Sequence, residues 1–167
     1  MRKSITSAGL CLSLCCSSAA DAIQPKDASY FCVAEAAGGL SFNSAQKKWV
    51  GTVFRADEKF VLRLKFVDVQ PGTEVWDKEE TYTNFDVSIT ASGSSYQAEC
   101  RQRGSGKNKS ISISSYGSFT CSASLQDYYF NLENNRYMNF YAAGYINGAD
   151  NNENTPSVTG GVCTKIN

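Results

Sequence analysis

Three groupings of side chains in this sequence have the types and spacing to do chemistry. Asp150, Asn152 and Asn154 stand at alternate positions between Asn147 and Thr155, the spacing with which calcium-binding loops begin. One carboxylate and two amides supply the oxygen donors that a hard cation prefers. The pattern then departs from a full EF-hand loop: Thr155 replaces its glycine and Gly161 its bidentate glutamate. Calcium is the one cofactor the sequence raises. The competing reading is an ordinary turn, since Asn and Asp tolerate left-handed backbone.

The second grouping is basic. Arg101, Arg103, Lys107 and Lys109 crowd a stretch rich in glycine and serine. Gly104-Ser105-Gly106-Lys107 resembles part of a phosphate-binding loop, but Arg101 stands where that loop needs glycine and Asn108 where it needs Ser or Thr. What remains is a basic loop tip that either touches an anionic surface or stays solvated. Asn108-Lys109-Ser110 also fits the N-x-[ST] glycosylation pattern.

The third is Trp76, set among Glu74, Asp77, Lys78, Glu79 and Glu80 after Pro71-Gly72. An indole in a polar loop is either a contact for a sugar ring or protein partner, or a side chain packed onto its own sheet. Trp49, between Lys48 and Val50, reads instead as buried at the start of a strand.

Missing residue types narrow the choices. The chain contains no histidine, which removes Ser-His-Asp triads, Cys-His pairs and His-ligated zinc. A glycosidase would need two carboxyls about 5 to 9.5 Å apart across a cleft. Glu79 and Glu80 are adjacent and would point to opposite faces of a strand. Asp77, Glu99 and Asp127 are possible members of such a pair, and no spacing selects any of them. Basic and acidic residues balance at 16 each, which speaks against general nucleic-acid binding.

The elements that must position these residues are strands. Phe60, Leu62, Leu64 and Phe66 alternate with Val61, Arg63 and Lys65, the pattern of a half-buried strand. Comparable runs lie at 29–35, 48–55, 81–90, 95–101, 110–114, 118–123, 127–132, 137–146 and 157–166. Gly38-Gly39, Pro71-Gly72, Ser92-Gly93, Gly104-Ser105-Gly106 and Asn147-Gly148 supply turns between them. Residues 127–132 and 137–146 read as a hairpin turning at Glu133–Arg136. About ten short strands predict a single all-β domain, either an antiparallel sandwich or a small up-and-down barrel.

Seven cysteines divide into two groups. Cys11, Cys15 and Cys16 fall in an apolar run behind Arg2 and Lys3, ahead of the small-residue motif Ala20-Asp21-Ala22. That reads as an export signal over residues 1–22, cleaved after Ala22 (or Ala20), with the domain at 23–167. Lipid attachment is disfavoured, because no small residue precedes Cys11, Cys15 or Cys16. Cys32, Cys100, Cys121 and Cys163 remain, an even number in an exported chain. Four cysteines allow three pairings and the sequence does not choose among them. We favour Cys100–Cys121, on adjacent strands of a hairpin around the glycine-rich loop, which leaves Cys32–Cys163 tying the first strand to the last. Loop entropy puts them at ~3 and ~5 kcal/mol. No later apolar run reaches the ~18 residues of a spanning helix.

The sequence therefore predicts a periplasmic or secreted non-enzymatic domain that binds a protein, a glycan or a small ligand. Trp76, Arg101, Arg103, Lys107 and Lys109 are its expected contacts. Two alternatives stand beside it: a small carboxylate-dependent hydrolase of envelope polysaccharide, and a structural envelope component without a discrete ligand. Intact-mass spectrometry of the exported protein is expected to find Ile23 as the first residue and every cysteine blocked until reduction. A retained lipid or a free thiol would overturn that expectation.

Overall fold

The computed structural model describes residues 23–72, 80–102 and 110–167. It contains β1 (Ala28–Asn43), β2 (Lys48–Phe54), β3 (Lys59–Pro71), β4 (Thr81–Ala91) and β5 (Ala98–Cys100). After these come β6 (Ile111–Ile113), β7 (Ser118–Ala123), β8 (Gln126–Asn131), β9 (Arg136–Tyr141), α1 (Ala143–Ile146) and β10 (Ser157–Lys165). All ten strands belong to one antiparallel sheet, in the order β5-β4-β3-β1-β10-β9-β8-β7, with β2 beside β1 and β6 beside β4. Alternation explains the pairing. In β3, Phe60, Leu62 and Leu64 are buried while Lys59, Arg63 and Lys65 are exposed, so one face of the sheet carries the core. Among the described residues no helix is long and apolar enough to cross a membrane.

Neighbours follow chain order around this sheet, from β1 through β3, β4 and β5, and from β7 through β8 and β9 to β10. The first and last strands pair, with Cys32 directly opposite Cys163, and these two form a disulfide. The ends β5 and β7 meet at a single bridge, where Arg101 and Ser122 exchange backbone hydrogen bonds of 3.0 and 2.8 Å. Cys100–Cys121 crosses the same seam. The sheet thus curls around its core without closing into a continuous ladder. The expected disulfide pairing holds, but for a different reason. Cys100 and Cys121 do not lie on neighbouring strands of a hairpin: β5 pairs β4, β7 pairs β8, and the bridge staples two sheet ends.

Two sequence expectations change. Gly38-Gly39 is not a turn, because β1 runs through it and the chain reverses after Asn43, with Lys47 at φ 48°. Gly39 serves close approach instead: a Cβ there would lie 2.0 Å from the Pro156 carbonyl and 2.9 Å from the Phe54 ring. Residues 137–146 are not one strand either. β9 ends at Tyr141 and Ala143–Ile146 forms one helical turn, where a Cβ on Gly144 would lie 1.9 Å from the Asn154 carbonyl.

The core is aromatic at its centre. Phe60 meets Tyr137, Tyr128 and Phe130 edge-on at centroid distances of 4.9, 5.8 and 6.3 Å. Gly161 makes room for the Tyr137 ring, since a Cβ there would lie 2.7 Å from it and 2.2 Å from the Val33 carbonyl. Neither neighbour can yield, so Gly161→Ala is expected to cost on the order of 2 kcal/mol or more in urea unfolding. A loss below ~0.5 kcal/mol would show that this packing is looser than described.

Candidate functional site

β1 changes partners half-way along its length. Its first half pairs β3, from Ala28↔Leu64 to Val33↔Lys59, and its second half pairs β2, from Ala37↔Phe54 to Asn43↔Lys48. Arg55–Glu58 bulge out between the two ladders, and Glu58 is tied back by a 3.0 Å bond from the Ala34 amide to its carbonyl. The β1–β10 register slips at the same level, between Ala34 and Ala36. A cleft of about 310 Å³ opens there, with Ala37, Phe54, Arg55, Asp57, Glu58, Gln126, Asn139, Thr155, Ser157 and Thr159 around it.

Glu58 points into this cleft because it continues the even-numbered inward face of Phe60, Leu62 and Leu64. The half-buried carboxylate accepts bonds of 2.9 Å at both oxygens from the Asn139 amide. Asn139 also donates to Gln126 Oε1 at 3.0 Å, and Gln126 Oε1 takes the Tyr128 hydroxyl at 2.6 Å. The ladders set this row directly, since Tyr128 lies opposite Asn139, Asn139 opposite Thr159 and Thr159 opposite Ala37. One layer deeper sits Tyr137, 2% exposed, whose hydroxyl is buried without a partner at hydrogen-bond geometry.

Electrostatics single this group out. Burial raises the Glu58 pKa above its ordinary 4.5; Asn139 and the Tyr137 hydroxyl oppose that, and the charge of Asp57 adds to it. Burial, then the Glu58 charge, pushes the Tyr128 phenol up to about 12. The same two causes hold Tyr137 well above the usual phenol range. The ion pairs among the described residues are Arg55–Asp57 and Arg101–Glu99, so Glu58 has no cation partner there. A half-buried carboxylate in such a place can accept hydrogen bonds or positive charge from a ligand, or hold a proton at a higher pH than usual.

The residues singled out by sequence fare differently. Trp76, Arg103, Lys107 and Lys109 lie outside the described residues. Arg101 forms the seam bridge with its backbone, and its exposed guanidinium pairs with Glu99 at 2.9 Å. Asp150, Asn152 and Asn154 do not converge on a cation position. Asp150 accepts the Trp49 indole at 3.0 Å, Asn152 exchanges bonds of 2.7 and 2.9 Å with the Phe42 backbone, and Asn154 accepts the Tyr141 hydroxyl at 2.9 Å. Their spacing docks a loop onto three different elements. No group of three or more His, Cys, Asp or Glu side chains among the described residues is placed to hold a metal. Trp49 is half-buried rather than buried, edge-on between Phe42 and Tyr145 at 5.6 Å from each. Asp127 is on the outer face and accepts the Ser122 hydroxyl at 2.5 Å.

The chain matches no family model, no curated protein and no solved structure.

Sequence reasoning passed over Glu58, Gln126 and Asn139. The signal lay in the alternation: Glu58 extends the Phe60 face by one step, and Asn139 and Gln126 share inward parity with Tyr137 and Tyr128. Which of these converge depends on the pairing of β8, β9, β10 and β1. The raised Glu58 pKa has a sign for stability. Its contribution is fully present below the ordinary value of 4.5 and is lost as pH rises through the higher folded value. Glu58→Gln cannot ionise, so its melting temperature is expected to gain on the parent's as pH rises above 4.5 and the parent's Glu58 ionises. A gap that stays constant or moves the other way would contradict the burial argument.

Proposed function

We propose that the domain works outside the cytoplasm, periplasmic or secreted, as a non-enzymatic binding protein that takes a small polar ligand in the Glu58 cleft. The observation that carries this reading is a half-buried carboxylate, unpaired among the described residues, at the edge of a cleft of about 310 Å³. Most of the other lining groups are amides, hydroxyls and one phenyl ring, a set that fixes a small ligand by a few polar contacts. Two disulfides support an oxidising location. The cleft favours a discrete ligand over a purely structural role.

A hydrolytic role is the second reading, because Asp57 and Glu58 both line the cleft and Glu58 binds its proton more tightly than usual. It ranks second on geometry. Asp57 is exposed and takes the Arg55 guanidinium at 2.8 Å, and both Glu58 oxygens already accept from Asn139.

Amide-resolved NMR titration with small sugars, amino acids and amines separates these readings. We expect shifts centred on Ala37, Gln126, Asn139 and Thr159, with every added compound recovered intact. Shifts confined to other surfaces would remove the cleft as the site. Cleavage of an added oligosaccharide, lost in Glu58→Gln, would replace binding with hydrolysis.

A further inference from the structure

We propose that the ligand of the Glu58 cleft carries an organic ammonium group, seated on the Glu58 carboxylate beside the Phe54 ring. This rests on the reading above and names the chemical class of the ligand. The charges lining the cleft are Arg55, Asp57 and Glu58. Arg55 and Asp57 neutralise each other through a 2.8 Å bond at the exposed rim. Glu58 is left as the uncompensated charge, half-buried and without an ion pair among the described residues. Withdrawing a carboxylate from water without a counter-ion is costly, and a bound cation recovers that cost.

Donor and acceptor inventory points the same way. An ionised carboxyl offers about four lone-pair positions. The Asn139 amide, which it shares with Gln126, reaches one on each oxygen and the Tyr137 hydroxyl draws on one more, which does not fill them. The unused positions accept only, so they select a ligand that donates. An ammonium is all donor, and its charge makes each bond to a carboxylate roughly twice as strong as a neutral one. Thr155, Ser157 and Thr159 line the same cleft with hydroxyl oxygens able to take its remaining protons. Phe54 adds a ring face, which attracts a cation within about 6 Å. An anionic ligand would meet Glu58 directly and be repelled.

The test uses the oxidised, folded domain and two matched pairs of probes: glucosamine with N-acetylglucosamine, and ethanolamine with ethylene glycol. Binding is followed by NMR shifts of the Ala37, Asn139 and Thr159 amides. We expect each ammonium probe to bind about tenfold or more tightly than its neutral partner, and Glu58→Gln to abolish that advantage. On the parent protein, raising salt to about 0.5 M should weaken only the ammonium probes, a readout that does not depend on the variant folding. Neutral probes that shift the cleft amides as strongly as the ammonium ones would overturn the cation and leave the cleft standing. Ammonium binding that ignores salt, or survives Glu58→Gln undiminished, overturns it equally. Four probes that leave the cleft amides unmoved would overturn both the cation and the cleft.

Discussion

The pairing of the first strand with the last is the constraint on which the rest of the molecule depends. β1 and β10 are separated by almost the whole domain, yet their ladder runs from Tyr30↔Lys165 to Gly39↔Ser157. Every other named pair in the sheet joins strands close in sequence, so this contact is what turns two meanders into one sheet. Closing so long a loop is entropically expensive, and Cys32–Cys163 fixes it covalently across 131 positions. The second disulfide sits at the other joint, where β5 and β7 share a single bridge. Each bridge occupies a place where chain order does not bring strands together by itself.

The same ladder creates the cleft. β1 is longer than either partner on its β2–β3 side, so it must exchange one for the other, and the spare residues Arg55–Glu58 have no ladder to join. Strand parity then turns Glu58 inward at a level where β10, β9 and β8 contribute Thr159, Asn139 and Tyr128 rather than apolar side chains. The polar row is hydrogen-bonded nearly throughout, which is the condition for burying it. Glu58 is the member whose charge is left over, and its position over the aromatic core is why burial dominates its titration.

Elsewhere the surface separates packing from function. The Asn152 amide pairs with the Phe42 backbone as a strand would, covering an edge of β1 beyond the reach of β10. Such an edge left bare would invite other chains, so this residue's geometry is explained without a ligand. On the outer face, Ala36, Gly38 and Gly160 floor an apolar groove of about 580 Å³ flanked by Tyr129 and Met138. Small residues there let the groove form.

Much of this was legible from the sequence. Period-two alternation declared the all-β class and most strand positions, because a half-buried strand must alternate whatever it pairs with. The even cysteine count declared two disulfides and left three pairings open; strand order decided for Cys32–Cys163 and Cys100–Cys121. Local pattern misjudged Gly38-Gly39, where glycine answers to the approach of Pro156 and Phe54, and residues 143–146, where Gly144 answers to Asn154. The spacing of Asp150, Asn152 and Asn154 left a cation loop and an ordinary turn both open, since spacing along the chain does not reveal that Trp49, Phe42 and Tyr141 take up these side chains. The cleft was decided by tertiary structure alone. Glu58, Gln126 and Asn139 are unremarkable apart, and 81 positions separate the carboxylate from the amide that holds it. Alternation says which way a side chain points, while only strand order and register say what it meets.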